Sequence, residues 1–339
     1  MSVTEKYEIK DNPIRINYAA SVKAFVENNA AECEKKRNVF LYKDENSKRR
    51  AFLKMLGSPL FPKKEAKAEL IEKEIVYSDD SVLAERLSFD IGGIIFSGWL
   101  LKSNRKPERS GKKALIFALH GGWGSPELAT GIYIDSANYN RFAARLVTED
   151  TLVFVPQLLL WSKETYGTDY DRENLNRRLV QQGGSITALE IFLLMRCADY
   201  FSALKNVDKN KLGVAGLSYG GMYALYLGAA DKRFKAVYSS CWFNDRAKYD
   251  WHDYVYFNAE NEFFDTEVAS LVLPRKLFID VGDSDPVFRL EYGEKERARL
   301  KAYARKTGNE SNLRLRIFCG EHEFDKDDGT LKEFLAEIL

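Results

Sequence analysis

Histidine is rare in this sequence: three occur among 339 residues, His120, His252 and His322, so any reaction needing an imidazole base has three candidates. Cysteine is nearly as scarce, and Cys33, Cys197, Cys241 and Cys319 lie far apart. That spacing excludes a zinc ribbon and a disulfide-stapled scaffold, so the four read as reduced thiols. An excess of charge of one sign is also lacking. The 51 Lys and Arg balance 50 Asp and Glu to a net +1, which gives no global attraction for nucleic acid or an anionic membrane. No apolar run approaches the roughly 20 residues of a membrane span, and Glu5, Glu8 and Asp11 stand where a secretory leader needs apolar residues. The cytoplasm is therefore the expected location. Neither G-x-G-x-x-G nor a P-loop lysine is present, even around Gly183-Gly184, and Asp325, Asp327 and Asp328 lack the spacing and terminal glutamate of a calcium loop. No cofactor and no metal are expected.

What is present is ample material for a core: 45% of residues are hydrophobic and 30% charged, the balance of an ordinary globular protein. At about 150 residues per domain, the length fits two domains or one large domain with an appendage. Residues 1–75 read as a helical extension. Ala19, Val22, Ala24, Phe25 and Val26 are followed by the mixed charges of Lys43–Arg50, a solvated helix face, and by the apolar patch Ala51–Leu56. Gly57, Pro59 and Pro62 end that pattern. Residues 76–339 read as one α/β domain. Leu87–Ile91 and Ile94–Leu101 flank Gly92-Gly93, a hairpin signal. Further strands are expected at 114–119, 152–156, 212–215, 236–239, 276–281 and 313–318, and helices at 138–148, 184–204, 219–229, 288–306 and 330–338. Nearly continuous apolar strands alternating with helices require a mainly parallel, doubly wound sheet covered on both faces. The stretches 161–182 and 242–270 fall outside the alternation and are expected to form a lid.

The chemistry centres on Gly216, Ser218 and Gly220, which complete G-x-S-x-G between the apolar run Leu212–Ala215 and a helical stretch rich in Ala, Leu and Tyr. A serine on such a sharp strand-to-helix turn points off the carboxyl edge of the sheet, beside a helix N-terminus that favours developing negative charge. Ser218 is the candidate nucleophile. His120 ends the strand 114–119 and opens His120-Gly121-Gly122-Trp123-Gly124, whereas His322 follows the last apolar run. Two carboxylates, Asp283 and Asp285, follow the strand 276–281. Trp242, Phe243, Trp251, Tyr254, Tyr256, Phe263 and Phe264 concentrate aromatics around His252, which fits an acyl- or sugar-binding wall and fits plain packing of an insertion equally well.

Four segments recur in a familiar order: His120-Gly121-Gly122, Gly216-Leu217-Ser218-Tyr219-Gly220-Gly221-Met222, Gly282-Asp283-Ser284-Asp285-Pro286-Val287-Phe288 and Gly320-Glu321-His322-Glu323-Phe324. From about residue 85 onward the chain resembles an α/β-hydrolase, and within that superfamily the acetyl xylan esterase and dienelactone hydrolase-like branch, near prolyl oligopeptidase-type catalytic domains. The resemblance implies the chain order nucleophile, acid, base: Ser218, Asp285, His322. Gly282, three residues ahead, favours Asp285, with Asp283 the alternative. It also implies a structural role for His120, and an oxyanion hole from the backbone N–H groups of Gly122 and Tyr219, with Trp123 the alternative to Gly122. Trp123 and Trp242 are the candidate substrate contacts. Two departures stand out. Gln157-Leu158-Leu159-Leu160-Trp161 replaces an Asp-x-Arg-Gly stretch of the related proteins, and the helical extension carries no motif of the branch.

The function so implied is a serine hydrolase acting on a small-molecule carboxylic ester through an acyl-enzyme, with no nucleic-acid or membrane partner and with homo-oligomerisation left open. One alternative is a prolyl oligopeptidase-like serine peptidase, although about 80 residues ahead of the first strands are too few for the propeller that usually accompanies it. The other is a non-catalytic hydrolase-fold binder, which usually lacks one of the three catalytic residues; here all three positions are filled.

Overall fold

A computed structural model describes residues 12–57, 66–105, 111–249, 251 and 254–339. The acidic N-terminal signals Glu5, Glu8 and Asp11, the breakers Pro59 and Pro62, and His252 lie outside the described residues. Among the described residues, nine strands follow one another: β1 (Ala68–Ser78), β2 (Val82–Ile91), β3 (Ile94–Ser103), β4 (Lys113–Leu119), β5 (Thr151–Pro156), β6 (Val207–Leu217), β7 (Phe234–Ser240), β8 (Lys276–Gly282) and β9 (Leu313–Phe318). Helices of eight or more residues are α1 (Asn12–Phe40), α2 (Glu45–Leu56), α3 (Arg172–Gln181), α4 (Ile186–Ser202), α5 (Tyr219–Ala230), α6 (Leu290–Lys306) and α7 (Gly329–Ala336). Among the described residues, no helix is long and apolar enough to cross a membrane.

The strands form one sheet in the order β1-β2-β3-β5-β4-β6-β7-β8-β9. β1 to β3 are antiparallel, β3 meets β5 antiparallel, and every pairing from β5 to β9 is parallel. The β2–β3 hairpin closes over Gly92 and Gly93, both at positive φ (66° and 93°), as a two-residue primed turn requires. β4 and β5 are buried on both faces, and alternate residues feed two cores. Leu115, Phe117, Leu119, Leu152 and Phe154 pack with α2, α4 and α5, while Ala114, Ile116, Ala118, Val153 and Val155 pack with Phe142, Leu146 and α7. In the first core Phe117 meets Phe154 and Phe234 edge-on, at centroid distances of 5.3 and 5.5 Å. Such pairs add about 0.5–1.5 kcal/mol beyond their buried area.

Three expectations about element boundaries need correction. The boundary expected at 75/76 falls inside β1, whose run Ala68–Ser78 is masked in the sequence by Glu69, Glu72, Lys73 and Glu74. As an edge strand it pairs with β2 alone and tolerates charge. The single helix expected at 138–148 is instead a 3-10 turn, Ala137–Tyr139, and a short helix, Phe142–Arg145, separated by Asn140 and Arg141 in the left-handed region. β6 begins five residues before the expected Leu212, because its exposed start, Asp208–Asn210, is polar.

The helical extension docks through its second half. Arg37 stacks on Phe264 at 3.9 Å, Phe40 meets Phe263 edge-on, and Lys48 is buried with its ammonium donating to Leu41 O (3.0 Å) and Ser270 Oγ (2.8 Å). The first half of α1 instead exposes Ile14, Ile16, Tyr18, Val22, Phe25 and Val26. Lys43–Arg50 was expected to be a solvated face, yet Lys48 and Arg49 are buried, Arg49 donating to the carbonyls of Ala229 and Leu271.

Candidate active site

β6 delivers the chain to the carboxyl edge of the sheet, and Ser218 turns it into α5 with φ 59° and ψ −125°. That region is costly for a side-chain-bearing residue, about 1–3 kcal/mol, and persists only where the surroundings impose it. Here they do. Ser218 N–H donates to Ser240 O on β7 (2.9 Å), and a Cβ on Gly216 would collide with the Gly220 carbonyl, one on Gly220 with the Leu119 carbonyl. The two glycines of the motif are thus places where backbone meets backbone, and Ser218 is held at a helix N-terminus.

His322 lies beyond β9, and its Nδ1 is 2.9 Å from Asp285 Oδ2. The other carboxylate oxygen accepts from Val287 N–H and Phe288 N–H, both at 2.8 Å. Burial raises the pKa of Asp285, but the hydrogen bond and charge of His322, with those two amides, hold it below the ordinary carboxylate range. The carboxylate is therefore ionised, and the imidazole tautomer that donates Nδ1–H to it is the one that leaves the lone pair on Nε2. Asp283 is exposed and caps the neighbouring loop, accepting from Gly320 N–H (3.2 Å) and Ser284 Oγ–H (2.9 Å). The His322 loop is clamped by Asn138, which donates to His322 O (2.9 Å), and by Asn140, which donates to Phe324 O (2.6 Å). The left-handed break that interrupts the expected helix therefore serves the site.

His120 is fully buried and its Nδ1 lies 3.0 Å from Gly121 O, while Nε2 accepts Leu158 N–H (3.0 Å) and Gln157 lies 3.1 Å away. Burial pulls its pKa down to about 4, so it is a neutral strut between the ends of β4 and β5. Gln157, the departure from the related pattern, is one of its partners. Gly121 N–H donates to Tyr139 Oη (3.0 Å), and a Cβ on Gly121 would touch Leu217 O and Ser218 Cβ. This loop lies directly against the serine turn, with Gly122, Trp123 and Tyr219 lining the same cavity as Ser218 and His322.

The comparisons agree with this architecture. The methylesterase BT1017 superposes with a TM-score of 0.66 at 16% identity, covering 91% of this chain and 68% of that chain. The glucuronoyl esterase from Solibacter usitatus gives 0.57 at 12% identity, over 85% and 91%. Acetyl xylan esterase 1 from Thermoanaerobacterium sp. JW/SL YS485 gives 0.52 at 17% identity, over 87% and 94%. The chain has the α/β-hydrolase fold. A family model described as the prolyl oligopeptidase family matches residues 193–322, from within α4 through the serine turn and the Asp285 loop to His322. No curated protein sequence matches the chain.

Above the carboxyl edge of this α/β-hydrolase sheet lies a cavity of about 1010 Å³. Insertion 161–182 supplies one wall through Trp161, Tyr170 and Arg172, with Trp161 and Tyr170 at a centroid distance of 4.3 Å. Arg172 is nearly buried: it donates to Leu159 O (2.8 Å), to Tyr223 Oη (2.9 Å) and to the buried Glu190 (3.2 Å), and sits 5.8 Å from the Tyr219 ring centroid. Trp123 is 78% exposed at the rim. Trp242, expected as a substrate contact, is 2% exposed and lies outside the cavity lining. It backs Tyr219 (5.9 Å) and Trp251 (6.5 Å), and Trp251 is the insertion aromatic that reaches the cavity, stacked on Tyr219 at 5.4 Å. The sequence marked the aromatic cluster but not which ring faces inward, and Arg172 and Glu190 carried no signal.

Among the described residues, one group of three potential metal ligands comes together: donor atoms of Cys241, Asp285 and His322 lie within 4.8 Å of one another. Burial, and then the Asp285 carboxylate, push the Cys241 thiol up to about 12. At neutral pH it is a protonated thiol, 3.2 Å from Glu323 O.

Proposed function

We propose that this chain is a serine hydrolase of small carboxylic esters. The observation that carries the reading is the His322–Asp285 pair at 2.9 Å, sharing one cavity with a serine held at φ 59° on a strand-to-helix turn. Ser218 Oγ attacks the ester carbonyl while His322 Nε2 takes its proton, and Asp285 fixes the Nδ1–H tautomer and stabilises the imidazolium. Backbone N–H groups of Tyr219 and of Gly122 or Trp123 receive the oxyanion, each such donor being worth about 10²–10³ in kcat. His322 then returns the proton to the leaving alcohol, and water releases the acyl group by the reverse sequence.

The esters acted on by the structural neighbours support an ester substrate, and the aromatic walls fit an apolar acyl or ring-bearing group beside Ser218. The prolyl oligopeptidase model over 193–322 favours a second reading, a peptidase with the same nucleophile. Kinetics on short acyl esters and on aminoacyl and prolyl amides separate the two. Ester turnover exceeding amide turnover, abolished in Ser218→Ala, supports the esterase; a preference for prolyl amides supports the peptidase, and turnover retained in folded Ser218→Ala defeats both.

A further inference from the structure

Cys241 stands one residue beyond β7, in the left-handed region at φ 48°, with its side chain wholly buried beside the His322 loop. Its sulfur, an Asp285 oxygen and a His322 nitrogen are mutually within 4.8 Å, and the nitrogen facing Asp285 is Nδ1, at 2.9 Å. From this arrangement we propose that Cys241, Asp285 and His322 form an inhibitory site for a thiophilic divalent cation of the Zn²⁺ class. The inhibitory consequence rests on the role of His322 proposed above; the site itself rests on the three donors.

The donor set selects the cation. A thiolate, an imidazole and a carboxylate suit zinc-like ions, while calcium and magnesium prefer all-oxygen shells. Tetrahedral coordination with bonds of about 2.0–2.3 Å needs donors about 3.3–3.6 Å apart. The nitrogen–oxygen pair would open by about half an ångström, and the sulfur would close by at most about 1.2 Å. Three protein donors leave one position of a tetrahedral shell for a further ligand. A divalent ion among these donors neutralises the Asp285 carboxylate and the Cys241 thiolate together.

On binding, the Cys241 Sγ–H proton leaves to solvent and the imidazole proton moves from Nδ1 to Nε2, so one proton is released and no electron is transferred. Nε2 is then a donor and no longer accepts the serine proton. Asp285 is held by the metal and no longer orients the ring. The cation therefore silences hydrolysis without touching Ser218.

The test is titration of Co²⁺ into the reduced full-length chain, read as thiolate-to-metal charge-transfer absorption. The expected result is a one-to-one band that Zn²⁺ displaces and a chelator removes, absent in folded Cys241→Ser and Cys241→Ala and retained when the exposed Cys319 is replaced in Cys319→Ser. Asp285→Asn should weaken Co²⁺ at least about tenfold. On an ester substrate, Zn²⁺ should inhibit the wild type reversibly, and the Cys241 variants should need at least about tenfold more. No band in folded wild type, or a band that survives replacement of Cys241, overturns the site. The absorption needs no substrate, so a band in a protein without hydrolytic turnover supports the site while refuting the function proposed above; turnover without a band refutes the site alone.

Discussion

Replacing Asp285 by asparagine should stop turnover while leaving the fold and substrate binding nearly intact. Oδ1 is pinned by two amides at 2.8 Å, Val287 N–H and Phe288 N–H, and the other oxygen faces His322 Nδ1 at 2.9 Å. An asparagine has one acceptor oxygen, and two converging N–H donors claim it. Its NH₂ group therefore points at Nδ1, which must become an acceptor, and the imidazole proton moves to Nε2 where the serine proton has to go. In a comparable triad this tautomer error costs about 10⁴ in kcat, or about 5 kcal/mol of barrier. Asp285 does not line the cavity, so KM should change little. The assay is steady-state ester hydrolysis at neutral pH, with circular dichroism to establish folding. A loss of less than about tenfold in a folded variant would refute the assignment of Asp285 as the group that sets the tautomer.

Other perturbations have equally definite outcomes. His120→Ala removes the acceptor of the Leu158 amide and should cost about 1–3 kcal/mol in urea denaturation at neutral pH. In the fold His120 protonates at about 4 rather than near 6.5, so between those values the unfolded chain binds more protons; the wild type should lose up to about 3 kcal/mol relative to the variant as pH falls through that window, and parallel profiles would contradict the buried neutral ring. Arg172→Met strands the buried Glu190 carboxylate and should cost about 3–5 kcal/mol, much of it recovered in the double variant Arg172→Met, Glu190→Met; additive losses in denaturation would show the pair to be uncoupled. Burial lowers Lys48 from 10.5 to about 8, so the folded chain binds fewer protons between these values, and wild-type stability should rise with pH across that range relative to Lys48→Met. Denaturation midpoints of the two chains from pH 7.5 to 10.5 check this, and a constant difference would contradict it.

The segments legible in the sequence were those where one constraint governs every residue. β4, β5, β7 and β8 read as apolar runs because both faces are covered, and the serine turn is written in glycines because backbone meets backbone there. β1 escaped notice because an edge strand carries charge freely. Asn140 and Arg141 look helical by composition, and what holds them left-handed is the clamp on the His322 loop, 184 residues away in the chain at Phe324. The choice between Trp242 and Trp251 depends on which ring the insertion turns inward, and no local periodicity encodes that. The Arg172–Glu190 pair joins an insertion to the core helix α4 and is a property of their docking alone.

The central claim is that Ser218 is an activated nucleophile. The most direct measurement is intact-protein mass after exposure to a fluorophosphonate probe, followed by peptide mapping, because it reads activation without any choice of substrate. One adduct per chain, mapped to Ser218 and lost in His322→Ala, is the predicted result. An unlabelled Ser218 in folded protein, or an adduct on another residue, would contradict the account.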